Sequence, residues 1–182
     1  MEKKREILEE QIKQALTSTF KVISNHIEDK NSKNKDLEIK TLDLSEIKDL
    51  KSKNDYIRLR ANTDSKALKI RFSDHGIFIK NQPKNPALSK IYELSEKIRC
   101  EMLGSKMLNG IKKNLENNYY QKINNKKYQD VNAKKDINVL DAFELYILEK
   151  FFKLKLNEIS LKTLSYWRKD FDKNFDNHLN YL

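Results

Sequence analysis

Residues that favour turns or covalent cross-links are scarce in this 182-residue chain, and it has no long apolar run. Three glycines and two prolines predict long helices with few tight turns. The single cysteine, Cys100, excludes an intramolecular disulfide and fits a reducing compartment. No stretch approaches the ~18 apolar residues of a membrane span, and the first residues lack the apolar core of a signal peptide. We therefore expect a soluble, cytoplasmic protein that does not enter a membrane.

Motifs for nucleotide, metal or nucleophilic chemistry are also missing. The chain has neither a Gly-x-x-x-x-Gly-Lys loop nor a Gly-x-Gly-x-x-Gly turn. His26, His75 and His178 lie in different segments, and none is spaced with another histidine, cysteine or carboxylate as metal ligands are. Cys100 lies within a predicted helix, where a small buried apolar residue is favoured over a nucleophile. We expect this chain to hold no cofactor or metal and not to be catalytic itself.

Charge is what the chain has in quantity. It carries 37 basic and 27 acidic residues, a net charge of +10, which favours acidic partners. The positive charges are nearly all lysines and are spread along the whole chain, whereas nucleic-acid-binding domains usually cluster them on one face. Nucleic-acid binding is therefore disfavoured, but a basic accessory or nucleic-acid-binding helical domain stays open as the alternative function.

The spacing of apolar residues predicts a mostly α (α+β) fold in one domain. Asn85 and Pro86 form a good helix start, with an N-cap asparagine and a proline in the first turn. The residues between the later helices show little periodicity and are predicted to be a variable loop. The predicted elements are a first helix at 3–26, a long central helix at 86–118, the variable loop at 119–136, and helices at 139–152 and from 160 onwards.

A small β-hairpin is expected between the first two of these helices. Leu68, Ile70 and Phe72 alternate with basic residues, and the segment 73–76 has turn-forming residues. The hairpin would cover residues 67–80, and a short strand at 37–41 could add a third strand. A helix through this region is the competing interpretation, with Ile57, Ala61, Asp64, Leu68 and Arg71 on one side.

The central helix contains Gly104 and Gly110, although a glycine inside a helix costs about 0.5–1 kcal/mol relative to alanine. This predicts close approach of another backbone, and packing within the chain is favoured over a partner surface. Glu96 and Arg99 are spaced for an intrahelical ion pair, while Glu101 points elsewhere. A structural role of these three residues is favoured over acid–base catalysis.

Three stretches of the chain share a pattern. Arg60-Ala-Asn-Thr-Asp64-Ser-Lys-Ala-Leu-Lys-Ile-Arg71 is similar to Arg-Gly-x-Ala-Asp-Ser-x-Ala-Leu-Arg-Leu-Arg. The second stretch is Glu96-x-x-Arg99-x-Glu101-x-Leu-Gly104, continued by Gly110 and Asn114, and the third is Asp141-Ala142 with Glu149, followed by Trp167-Arg168. Together they resemble the CobT-type subunit of the aerobic, ATP-dependent cobaltochelatase of cobalamin biosynthesis. The candidate interface or motif residues are Arg60, Asp64, Glu96, Arg99, Glu101, Gly104, Gly110, Asn114, Trp167 and Arg168.

This resemblance implies a function and a set of partners. The chain would be the family's amino-terminal domain alone, residues 1–182, without the von Willebrand A-type domain that follows in family members. It would be a non-catalytic subunit that forms a homo-oligomeric ring with an AAA+ ATPase and assists a large corrin-binding subunit. That complex inserts Co²⁺ into hydrogenobyrinic acid a,c-diamide, and ATP, Mg²⁺ and Co²⁺ would be used by the partner subunits.

Overall fold

The computed structural model describes residues 2–24, 45–125 and 133–179, and these form seven α-helices with two short 3₁₀ turns. The mostly helical class is therefore confirmed. No helix in the described ranges is long and apolar enough to cross a bilayer. The helices are α1 (Glu2–Ile23), α2 (Lys53–Phe72), α3 (His75–Asn81), α4 (Pro86–Met107), α5 (Asn109–Asn125), α6 (Val139–Phe152) and α7 (Glu158–Leu179), and the 3₁₀ turns are Ser45–Asp49 and Lys134–Asp136.

Side-chain caps fix where several helices begin. The predicted start of α4 is confirmed, because the Asn85 side chain accepts hydrogen bonds from two backbone N–H groups and Pro86 follows it. At α2, Ser52 and Asp55 cap each other's backbone N–H groups in a capping box. Helix α7 begins at Glu158, earlier than the predicted Ser160, because Asn157 caps it by accepting from the Ser160 N–H.

The predicted β-hairpin over residues 67–80 is wrong, and no strand occurs in the ranges that the structure describes. Residues 67–72 complete α2, so the competing helical interpretation holds, and Leu68 is buried as part of that helix. The segment taken for a turn is a helix boundary instead, since Asp74 accepts a hydrogen bond from the Ile77 N–H and begins α3. The proposed strand at 37–41 lies outside the described residues.

The single long helix predicted over 86–118 is wrong as well. The helix is interrupted at Leu108, whose extended backbone (φ −136°, ψ 113°) separates α4 from α5. The Leu108 N–H still closes α4 by donating to the Gly104 carbonyl, and the Leu108 carbonyl accepts from Lys112 in the first turn of α5. Helix α5 then continues to Asn125, so the first part of the segment predicted as a variable loop is helical.

The most deeply buried helix is α6. Its residues 142–148 are all buried, which a helix achieves only when neighbours cover every side. Helix α6 packs against α4 and α7, while α2 packs against α1, α4 and α5. One apolar core joins residues of α1, α2, α4, α5, α6 and α7, and a smaller cluster of Leu16, Ile47 and Leu59 lies between α1, the first 3₁₀ turn and α2.

Candidate functional site at the junction of helices α2, α4 and α5

Asp64 is the centre of a buried polar network between α2, α5 and α1. Its side chain is fully buried, and its Oδ2 accepts from Asn114 Nδ2 at 2.8 Å and from Arg60 Nε at 3.3 Å. The Arg60 guanidinium also donates to the Thr19 hydroxyl of α1 at 3.2 Å. Burial raises the pKa of Asp64, and the hydrogen bond from Asn114 and the charge of Arg60 oppose this rise. Three candidate residues from two separate stretches therefore meet here.

Arg99 joins α4 to the end of α2. Its Nε and Nη2 donate to the two Glu96 carboxylate oxygens at 2.7 and 2.8 Å, so the predicted intrahelical ion pair is confirmed. Nη2 also donates at 2.8 Å to the carbonyl of Phe72, one of the last carbonyls of α2, which lack partners within that helix. The hydrogen bond from Arg99 lowers the pKa of Glu96, so the carboxylate stays charged beside the guanidinium.

The same use of arginine occurs one helix earlier. Arg71, near the end of α2, donates from Nη1 to the carbonyl of Ile23, the last residue of α1, at 3.1 Å. Each of these two helices therefore has a carbonyl at its end that binds an arginine of a neighbouring helix. Arg71 of α2 binds the end of α1, and Arg99 of α4 binds the end of α2. This arrangement fixes the ends of α1 and α2 relative to their neighbours.

Cys100 lies beside this ion pair and is fully buried, as predicted for a packing residue. Burial raises the pKa of its thiol to about 11, and the nearby Glu96 carboxylate adds to the rise. A thiol with such a pKa is protonated at neutral pH and is a poor nucleophile.

Gly104 lets α2 and α4 approach each other closely. A Cβ atom at this position would lie 2.2 Å from Cδ2 of Leu68, far inside van der Waals contact. The predicted close packing within the chain is therefore confirmed at Gly104, although the neighbour is a side chain rather than a backbone. Gly110 differs, because a Cβ there would meet nothing within 4 Å, so packing does not explain this glycine.

Glu101 points away from Arg99, as predicted, and binds α5 instead. Its carboxylate accepts a hydrogen bond from the Tyr119 hydroxyl at 2.5 Å, and both side chains are 1% exposed. Lys97 lies one turn earlier on α4, with its Nζ 3.6 Å from Glu101 Oε1 and 5.5 Å from the centre of the Tyr119 ring. Burial and the neighbouring carboxylate raise the pKa of Tyr119 well above its usual value, so this tyrosine remains a hydrogen-bond donor.

Tyr119 is the partner that sequence reasoning missed, because it fell within the predicted variable loop. A signal was present, since Ile111, Leu115, Tyr119 and Ile123 recur every four residues and form the buried stripe of α5. The surrounding Asn and Lys residues obscured that stripe in the sequence.

Trp167 and Arg168 belong to a different interface, between α6 and α7. Arg168 donates to the Glu149 carboxylate at 3.0 Å from Nη2, which joins the two parts of the third stretch. Trp167 stacks on Phe171 with ring centres 5.9 Å apart, and the Lys134 Nζ lies 4.1 Å from the Trp167 ring. The Arg168–Glu149 pair joins α7 to α6, whereas the Trp167 stacking lies within α7 and Lys134 belongs to the second 3₁₀ turn.

The polar side chains at the α2–α4–α5 junction connect the helices to one another by hydrogen bonds. Each ionisable motif side chain here is hydrogen-bonded to another side chain or to a helix-end carbonyl. Within the residues that the structure describes, no group of three or more His, Cys, Asp or Glu side chains could hold a metal ion. The two stretches, residues 60–71 and 96–114, thus form one contiguous packing surface in the fold.

The family model described as cobalamin biosynthesis protein CobT matches residues 8–182. The chain belongs to the CobT family. Membership assigns it to cobalamin biosynthesis, and the match includes every helix that carries a candidate residue. No curated protein and no solved structure matches the chain.

Proposed function

We propose that this chain is a non-catalytic assembly subunit of an ATP-dependent cobaltochelatase. In this role it binds an AAA+ ATPase and the large corrin-binding subunit, and it forms a homo-oligomeric ring within the complex in the cytoplasm. The ATPase binds ATP and Mg²⁺, and the large subunit inserts Co²⁺ into hydrogenobyrinic acid a,c-diamide. The chain transmits the movement driven by ATP hydrolysis to the insertion step.

One observation carries this proposal: the match to the CobT family over residues 8–182 includes motif residues whose side chains form hydrogen bonds between helices. Asp64 and Asn114 hold α2 against α5, Arg60 joins α2 to α1, and Arg99 holds α4 against the end of α2. Hydrogen bonds of this kind make the helices move together as one rigid body. A rigid body is what a subunit needs in order to pass a movement from one partner to another.

Reconstitution of cobalt insertion from purified proteins of the same organism tests the proposal. The chain, the AAA+ ATPase and the large subunit are purified separately and mixed with ATP, Mg²⁺, Co²⁺ and hydrogenobyrinic acid a,c-diamide. We expect the chain to co-elute with the ATPase in size-exclusion chromatography. We also expect ATP-dependent cobalt insertion, followed by the absorbance of the corrin, to require all three proteins.

An ATPase whose phosphate-loop lysine is replaced serves as the control, because it should assemble with the chain and yet fail to support insertion. Insertion at the full rate without the chain would refute the assembly role. ATP hydrolysis by the chain alone would refute its non-catalytic character.

A further inference from the structure

Asn109 and Gly110 begin α5 and are the chain's only Asn-Gly pair. Both residues are exposed, and a Cβ at residue 110 would meet nothing within 4 Å. Gly110 does not have a positive φ either, so neither backbone conformation nor packing in the described ranges requires a glycine here. The pair has a chemical property instead. An asparagine side chain is attacked most readily by the next backbone nitrogen when the following residue is glycine, because no side chain hinders that nitrogen.

The Gly110 N–H has no hydrogen-bond partner within α5. The first hydrogen bond of this helix runs from the Lys112 N–H to the Leu108 carbonyl at 3.2 Å, so the N–H groups of residues 109–111 precede it. In a helix interior, an intrahelical hydrogen bond holds the corresponding N–H and must break before its nitrogen can react. No such bond within α5 opposes a reaction at the Gly110 nitrogen.

Asn109 is also the residue of α5 that leaves the helix most easily. A five-membered ring between the Gly110 nitrogen and Asn109 Cγ closes only when the ψ angle of Asn109 lies outside the helical range. Leu108, directly before Asn109, already has an extended backbone (φ −136°, ψ 113°). If α5 began one residue later, Asn109 would be released from the helix, and only the hydrogen bond between Lys112 and Leu108 would be lost.

We propose that Asn109-Gly110 is a site of spontaneous deamidation. The Gly110 nitrogen gives its proton to hydroxide and attacks Asn109 Cγ. The N–Cγ bond forms, the Cγ–Nδ2 bond breaks, and the amide nitrogen leaves as ammonia after taking a proton from water, which restores the hydroxide. Water then opens the succinimide ring at one of its two carbonyls, which gives aspartate, or isoaspartate with the chain continued through Cγ. Water is the only co-reactant, and no atom is oxidised or reduced.

The two products affect α5 differently. Aspartate keeps the backbone intact and adds a negative charge to a first turn that has no acidic residue, which the helix dipole favours. Isoaspartate adds a methylene to the backbone between Leu108 and Gly110, and this displaces the Leu108 carbonyl from the Lys112 N–H. Asn114, in the next turn, binds Asp64 of α2. Isoaspartate therefore weakens the start of α5 and its contact with α2.

Incubation of the full chain at mildly alkaline pH, followed by peptide mass spectrometry, tests the site. We expect the peptide that contains residue 109 to gain about 1 Da and to separate into two products, of which an isoaspartyl methyltransferase methylates one. N109Q should stay unmodified at this residue over the same period, because its side chain would have to close a six-membered ring. G110A should react about tenfold more slowly or less, because a Cβ restricts the backbone at the attacking nitrogen. No gain at residue 109 in the wild type, or equal rates in the wild type and G110A, would overturn the proposal.

A further variant separates the position in the helix from the dipeptide itself. N118G gives the exposed Asn117 a glycine neighbour in the interior of α5, where the backbone nitrogens donate to carbonyls one turn earlier. Far-UV circular dichroism first establishes that this variant is folded, and its unchanged residues 109 and 110 serve as the internal reference. We expect Asn109 to react about tenfold faster or more than Asn117 in the same molecules, because the helix end opens more often. Equal rates at the two asparagines would show that the dipeptide alone decides and would overturn the role of the helix start.

Thermal melting measures the consequence for the fold. N109D reproduces the aspartate product and should melt at or slightly above the temperature of the fresh wild type. Incubated wild type in which isoaspartate predominates should melt about 2–4 °C below N109D. Incubated N109Q, which controls for other changes during incubation, should keep its melting temperature. An isoaspartate-containing protein that melts like N109D would overturn the proposed weakening of α5. None of these measurements depends on the proposed function.

Discussion

Asp64 and Glu96 show how two carboxylates that each bind an arginine of the same helix can differ. Asp64 has no exposed surface, so desolvation dominates and its pKa is raised above 3.8. Glu96 keeps 15% of its side chain exposed and accepts two hydrogen bonds from Arg99, so its pKa is lowered below 4.5. The free energy of unfolding must therefore respond to pH in opposite directions at these two residues.

We predict that the variants D64N and E96Q reveal this contrast. A raised pKa means that the folded state binds the proton of Asp64 more tightly than the unfolded state. As the pH falls from neutrality towards 3.8, the wild type should gain stability relative to D64N. Glu96 contributes stability above pH 4.5 that is lost as the pH falls through its lower folded pKa, so the wild type should lose stability relative to E96Q.

Urea unfolding of the three proteins at about pH 7, 5 and 4 measures both differences. Two differences that change in the same direction with pH would show that one of the two assigned environments is wrong.

Contacts within one helix could be predicted from the sequence, and contacts between helices could not. The three-residue spacing of Glu96 and Arg99 sufficed to predict their ion pair, because helix geometry alone brings them together. Asp64 and Asn114 are 50 positions apart, and only the packing of α2 on α5 places Asn114 Nδ2 next to the carboxylate. The Phe72 carbonyl that binds Arg99 has no signature at all in the side-chain sequence.

At the scale of elements, the packing of α4 on α2 depends on the absence of a side chain at residue 104. We predict that G104L destabilises the protein by about 1–3 kcal/mol, because the added side chain must displace Leu68 from the core. Urea unfolding at neutral pH measures the change. The G110A variant is the control, and because space is open there it should be neutral or stabilise by up to about 1 kcal/mol.

A double-mutant cycle with L68A tests the contact directly. Truncation of Leu68 makes room for the new side chain, so the cost of G104L should shrink in the L68A background. Equal costs of G104L in the two backgrounds would contradict the assignment of Leu68 as the neighbour.

The start of a helix could be predicted where its capping residue is adjacent in the sequence. Whether the residues inside an element form a helix or a strand could not always be predicted. Asn85 and Pro86 identify the start of α4 by themselves. The alternation of Leu68, Ile70 and Phe72 is equally compatible with a strand and with the end of a helix. The capping residues Ser52 and Asp74, which begin α2 and α3, could have decided for helices. The break at Leu108 has no proline, but the Asn109-Gly110 pair that follows it is a turn-forming dipeptide that could have indicated the break.

At the scale of the whole molecule, one apolar core includes residues from α1 to α7, with α3 outside it. We predict a single cooperative unfolding transition. Trp167 is the only tryptophan and lies on α7 against Phe171, so its fluorescence reports on that helix, whereas far-UV circular dichroism reports on all helices. The two signals should change at the same urea concentration.

The K134Q variant, which removes the cation above the Trp167 ring, controls for quenching and should alter intensity with little effect on the midpoint. An earlier fluorescence transition would mean that α7 unfolds separately and that the prediction of one domain is wrong.

The two kinds of basic side chain are used differently in this protein. Six of its 37 basic residues are arginines, and every one of them donates to a carboxylate, a hydroxyl or a helix-end carbonyl: Arg5, Arg58, Arg60, Arg71, Arg99 and Arg168. A planar guanidinium can serve two acceptors at once, which an ammonium group cannot do with the same geometry. Several contacts between elements therefore depend on a handful of guanidinium groups, whereas most lysines of the described ranges are exposed and can change in number and position with less effect on those contacts.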